Sequence, residues 1–133
     1  MTSPRPAQSC VVDSSAVLAF LRDETGAELV GARLRTAFIS AVNWSEVVQK
    51  ALDDGMAVAE MRNYLRLWGL QIVAVAHAEA ELAAELRSHT RQFGLSIGDR
   101  ICLATAMLRG LPVLTTDKAW SSAPLDVEVQ VIR

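Results

Sequence analysis

At 133 residues the chain has the size of one ordinary domain and is long enough to bury a real core. Hydrophobic residues make up 51% of it and charged residues 21%, a balance that excludes a disordered chain, and no apolar run approaches the ~20 residues of a membrane span. The formal net charge of −2 lacks the broad basic footprint of a protein that coats nucleic-acid duplexes, although thirteen Lys and Arg remain available to form a basic rim.

The first nine residues, MTSPRPAQS, are polar and proline-bearing, and no apolar stretch with a cleavage site follows them. A flexible leader over residues 1–9, no signal peptide and a cytoplasmic location are therefore expected. CVVD, Cys10 to Asp13, is a short apolar run ending in an acid, the pattern of a buried strand. SSAVLAFLRDE reads as a helix with Val17, Leu18 and Leu21 on one face. A second helix is expected from about Ala27 to Arg35, then a strand from Ala37 to Ser40. A third helix runs from about Val42 to Leu52, where Asp53-Asp54-Gly55 stops it.

Met56 to Trp68 is again helical and is closed by Gly69, and QIVAV (Gln71 to Val75) is a β-branched strand. His77 to Thr90 reads as one Ala/Leu/Glu-rich helix, with His77 at its start and His89 near its end, both structural. A further helix opens near Gly98, Pro112 introduces the strand PVLTT, and VEVQVI alternates as a half-buried edge strand does. Cys10 and Cys102 are isolated thiols, expected to be buried and free rather than zinc ligands. Strand and helix alternate almost throughout, so the fold class is α/β, a mainly parallel sheet with helices on both faces and one domain over residues 10–133. Such sheets bind ligands beyond the carboxyl ends of their strands, near the point where strand order reverses.

Acids at strand ends are therefore the side chains to weigh. Asp13 ends a strand and stands before Ser14-Ser15, where it suits a helix N-cap. Asp117, after VLTT, has the same character, and Ser96-Ile97-Gly98-Asp99 has the spacing of a capping box. Glu46 differs: it lies one turn inside a helix beside Val42, Trp44 and Val47, and would be costly if buried and unpaired. In a parallel sheet, strand ends and the helix starts that follow share one edge, so all four acids can converge. Two unit charges ~4 Å apart repel by about 4 kcal/mol at an effective dielectric of about 20. Such a cluster is either partly protonated or occupied by a hard divalent cation; Mg²⁺ suits the second case, and a carboxylate can cap a helix and face a metal at once.

The segments VVDSSAVLAFL, ISAVNWSEVV, LSIGDRICLATA and VLTTDKAW, in this order, resemble the PIN-domain ribonucleases, and most closely the VapC-type toxins of bacterial toxin–antitoxin pairs. The resemblance covers the chain from about Cys10 to its end. It implies a three-layer α/β/α sandwich with a mainly parallel sheet of four to five strands. It also implies that Asp13, Glu46, Asp99 and Asp117 hold Mg²⁺, with Mn²⁺ as a substitute. Thr115 supplies the family's hydroxyl near that site and belongs with the acids among the catalytic residues, and Ser15 is a helper behind them. The implied activity is metal-dependent hydrolysis of RNA phosphodiester bonds, and the implied partners are RNA, a cognate antitoxin and a second copy of the chain.

Arg100 is read as a solvated surface side chain, with contact to RNA phosphate or the antitoxin as the alternative. The helices carrying Val47, Val48, Met56, Met61, Tyr64 and Trp68 are either ordinary core or a dimer or antitoxin surface. Two related chemistries fail on residue identity. A phosphate-transfer signalling domain needs an Asp at the end of a central strand, and QIVAVAHAEAE has none. A haloacid-dehalogenase-like phosphatase needs a second Asp where Ser15 stands. A non-catalytic protein-binding module on the same sheet is the remaining alternative.

Overall fold

The computed structural model describes residues 8–133. The leader expected over residues 1–9 lies outside the described residues except for Gln8 and Ser9. Gln8 is tied down, its carbonyl accepting from Arg33 Nη2 and Thr36 Oγ1, both at 3.2 Å.

Among the described residues, five strands form one all-parallel sheet: β1 (Cys10–Val12), β2 (Ala37–Ser40), β3 (Gln71–Val73), β4 (Val113–Thr115) and β5 (Val129–Val131). Their order is β3-β2-β1-β4-β5. Seven α-helices among the described residues connect them: α1 (Ser14–Leu21), α2 (Ala27–Arg33), α3 (Ala41–Asp53), α4 (Val58–Trp68), α5 (His77–Glu85), α6 (Arg87–Thr90) and α7 (Ile97–Arg109). The period-2 alternation of strand side chains divides the core between two faces. Cys10, Val12, Ala37, Ile39 and Leu114 pack with residues of α1 to α4, whereas Val11, Phe38 and Val113 pack with α5, α7 and Trp120. The sheet is thus the middle layer of an α/β/α sandwich. Cys10 and Cys102 are buried and free, as expected.

Several boundaries differ from the sequence reading. SSAVLAFLRDE is helical only to Leu21, because the chain turns at Asp23, whose φ of 52° is left-handed. QIVAV is strand only to Val73, which pairs with Ser40, the last residue of β2. The single helix expected from His77 to Thr90 is broken at Leu86 into α5 and α6, so His89 belongs to a second, short helix. There Ser88 Oγ donates to the Glu85 carbonyl at 3.3 Å and Thr90 Oγ1 to that of Leu86 at 2.8 Å, side-chain back-bonding of the kind that bends helices. VEVQVI contributes β5, half-buried along its length at a sheet edge.

Gly69 ends α4 at φ +105°, and a Cβ there would sit 2.5 Å from the Arg35 Cα. Gly69→Ala therefore meets a left-handed backbone and another backbone together, and should cost about 1–3 kcal/mol of stability in urea unfolding. No helix among the described residues is long and apolar enough to cross a membrane.

Candidate metal centre

The sheet order locates the site. Successive strands β1, β2 and β3 step in one direction, while β4 lies on the other side of β1, so strand order reverses between β1 and β4. Asp13 directly follows β1 and Thr115 ends β4, and they meet across that point: Thr115 Oγ1 donates to Asp13 Oδ2 at 2.6 Å. Asp13 Oδ1 accepts from Ser15 Oγ at 2.7 Å and from the Ala16 N–H at 2.9 Å, so Asp13 does cap α1. Ser15 Oγ in turn accepts the Thr116 N–H at 3.1 Å, and Thr115 Oγ1 accepts the Asp117 N–H at 3.1 Å. Two hydroxyls therefore hold Asp13 and the segment leading to Asp117 in one arrangement. Thr115 is fully buried, with its hydroxyl directed at Asp13.

The other three acids arrive on the same edge from separate elements. Asp99 accepts the Ser96 N–H at its Oδ2 (2.9 Å), and the Asp99 N–H donates to Ser96 Oγ, completing the capping box of α7. Asp117 Oδ1 caps a short 3₁₀ turn through the Ala119 N–H at 2.9 Å. Glu46, in the second turn of α3, accepts from Asn43 Nδ2 at its Oε1 (2.8 Å). Glu46, Asp99 and Asp117 each use one carboxylate oxygen for positioning, and the other accepts no protein donor among the described residues.

Asp99 is the acid that couples electrostatically to each of the other three. Asp13 is 5% exposed, and burial pushes its carboxyl up to about 6 despite three stabilising hydrogen bonds, with the Asp99 charge adding to the rise. Burial also raises the Asp99 carboxyl, and the charges of Glu46 and Asp117 push the same way. The buried Cys102 thiol is pushed well up, first by burial and then by Asp13, Asp99 and Glu46. Among the described residues no three His, Cys, Asp or Glu side chains are grouped so as to hold a metal ion as they stand, and the acids are linked by electrostatic reach through Asp99. The donors they offer are all carboxylate oxygens, hard ligands that suit Mg²⁺ or Mn²⁺ rather than the nitrogen and sulfur set of zinc. Such a cation would also neutralise the charge that burial makes costly at Asp13. His77 and His89 are exposed on α5 and α6.

Arg100 is only partly solvated. It is half-buried, and its Nη1 donates to the Ala83 carbonyl at 2.8 Å, tying α7 to α5. Sequence reasoning missed Asn43 and Gly98, which border Glu46, and Ser40, which holds Asn43. A usable signal was present, since Asn43 stands one turn before Glu46 at i, i+3 spacing. A cleft of about 500 Å³ lies at the amino ends of the strands between Pro112 and Glu128, away from the four acids.

The family model for the PIN domain matches residues 10–124. No curated protein matches the sequence. Among solved structures, the chain is similar to one in a toxin–antitoxin complex from Klebsiella pneumoniae, with a TM-score of 0.73 and 24% identity over 94% of this chain and 98% of that one. It is also similar to a chain of DNA-bound VapBC from Salmonella typhimurium (TM-score 0.64, 17% identity, 92% and 97% covered). A third likeness is to VapBC-5 from Mycobacterium tuberculosis (TM-score 0.56, 23% identity, 96% and 99% covered). At these identities the structural likeness speaks for the fold, and the family match extends through the first four strands and all four acids. The chain belongs to the PIN domain family.

Proposed function

We propose that the protein is a Mg²⁺- or Mn²⁺-dependent endoribonuclease of the VapC type, a cytoplasmic, homodimeric toxin restrained by a cognate antitoxin. The support for this reading is the placement of Asp13, Glu46, Asp99 and Asp117 on the carboxyl edge of the sheet with Asp99 in electrostatic reach of the other three, and, among the described residues, Glu46, Asp99 and Asp117 each keep an oxygen that accepts no protein donor. These four side chains would hold the ion. A divalent cation held there supplies polarisation of a phosphodiester oxygen and activation of water at neutral pH. The chain's own work is positional. Ser15, Thr115 and the start of α1 keep Asp13 in place, the capping box keeps Asp99 at the mouth of α7, and Asp117 remains exposed to an incoming strand. RNA is chosen as substrate on the family resemblance.

The restraining partner is supported by the similar structures being toxin–antitoxin complexes and by one surface of this chain. Val47 and Met61 are core, but Tyr64, Leu67 and Trp68 on α4 are exposed, Leu67 by 86%. Phe20 stacks with Tyr64 at 6.0 Å between centroids and meets Trp68 edge-on at 5.1 Å. A groove of about 390 Å³ runs along Tyr64, Leu67 and Trp68 past Gly31, Ala32 and Arg35, and is the seat we assign to an apolar antitoxin segment.

The test is cleavage of an end-labelled RNA by the purified chain. Cleavage should require Mg²⁺ or Mn²⁺, stop in EDTA and return when metal is restored. Undiminished cleavage in EDTA would overturn the metal-dependent reading. Absence of cleavage with either ion, on RNAs of varied sequence, would leave the non-catalytic binding module in its place.

A further inference from the structure

The Asn43 side chain, 1% exposed, sits between Glu46 and the first turn of α7. Its Nδ2 donates to Glu46 Oε1 at 2.8 Å and to the Gly98 carbonyl at 3.0 Å, which uses both of its protons. Ser40 fixes which way the amide faces: Ser40 Oγ donates to Asn43 Oδ1 while accepting the Asn43 N–H at 3.0 Å. Gly98 bounds Glu46 on another side. A Cβ at Gly98 would lie 2.8 Å from Glu46 Oε2 and 3.1 Å from its Cδ, so the carboxylate occupies the space a side chain would fill.

We propose that Asn43 and Gly98 form a seat that aims Glu46 at the cation and so set metal affinity without themselves being ligands. The inference rests on the metal-site reading above and adds two positioning residues to it. Glutamate has three rotatable bonds, and half-buried Glu46 would otherwise divide its time among rotamers. With Oε1 tied to Asn43 and Oε2 against Gly98, one orientation prevails. Supporting groups behind a metal ligand commonly change affinity by about 10- to 100-fold.

A purely structural role, tying α3 to α7, predicts something else: altered stability with unaltered metal binding. Calorimetric titration of the full chain with Mn²⁺, together with thermal melts of the metal-free protein, separates the two. Asn43→Ala and Gly98→Ala should each weaken Mn²⁺ binding by about 10- to 100-fold. Gly98→Ala should do so with an unchanged or raised melting temperature, since alanine is the better helix former. In a Glu46→Gln background neither substitution should add a further loss, because the side chain they aim is already disabled. Wild-type Mn²⁺ affinity in Gly98→Ala, or an equal loss in the Glu46→Gln background, would overturn the seat. If Asn43→Ala fails to fold, Gly98→Ala decides alone. A wild-type chain that binds no Mn²⁺ removes the metal reading and the seat together, whereas a wild-type chain that binds while Gly98→Ala binds equally removes only the seat.

Discussion

Asp13→Asn should reduce RNA cleavage by about 10³-fold or more, the scale of losing a principal electrostatic group, and should stabilise the metal-free fold at neutral pH. The two effects have one cause. Asp13 is 5% exposed, and its carboxyl is pushed up to about 6, chiefly by burial. At pH 7 it is therefore ionised at a cost set by the distance from its ordinary 3.8, which corresponds to an upper bound of about 3 kcal/mol. Asparagine keeps the shape and removes the charge. Its oxygen can still accept from Ser15 Oγ and the Ala16 N–H, and the Thr115 hydroxyl can turn to accept from the new amide. Urea unfolding beside a cleavage assay checks both halves. Wild-type cleavage by Asp13→Asn would remove Asp13 from the reaction, and a loss of stability would show that its hydrogen bonds outweigh its charge.

The second large effect is a dependence of stability on pH whose direction is the reverse of ordinary acid denaturation. A carboxyl raised above its unfolded value holds its proton in the folded chain after the unfolded chain has released it. Across the interval from about 4 to about 6, the native state therefore binds more protons, and the stability of the metal-free protein falls as pH rises. The fall levels off above the folded value and approaches about 3 kcal/mol from Asp13 alone. Asp99, raised by burial and by Glu46 and Asp117, acts with the same sign. Glu79 opposes it: backbone N–H groups, its own and that of Ala76, and the nearby Arg109 hold its carboxyl low, so its contribution is present at neutral pH and lost on acidification. Subtracting the Asp13→Asn profile from that of the wild type cancels Glu79 and isolates Asp13. Excess Mg²⁺ should flatten the wild-type profile at neutral pH, because a cation bound among the acids favours their ionised forms. A metal-free profile that rises through this interval in the wild type relative to Asp13→Asn would contradict the burial argument.

Local signals were legible wherever local physics decided the outcome. Asp13, the Ser96–Asp99 pair and Asp117 announce helix starts in sequence, and each makes the expected capping contact within three residues. The alternation of apolar runs and amphipathic stretches announces a parallel sheet covered on both faces, because only that arrangement buries both kinds of element. Boundaries were less legible. QIVAV carries strand-forming residues to Val75, yet pairing ends at Val73 because its neighbour ends at Ser40. The Ala-rich stretch after His77 has helical composition throughout, but hydroxyl back-bonding around Leu86 divides it.

The sequence by itself determined the fold class and the positions of Asp13, Glu46, Asp99 and Asp117 at strand ends and near helix starts, since these follow from side-chain periodicity and chain order. Tertiary structure alone decided which charges feel one another and how strongly. Asp13 meets Thr115 across 102 positions of sequence, and Asn43 meets the Gly98 carbonyl across 55. Burial by helices from distant parts of the chain, more than any neighbour in sequence, raises the Asp13 carboxyl. Desolvation depends on the whole surrounding shell of atoms, and that shell exists only once the chain has folded.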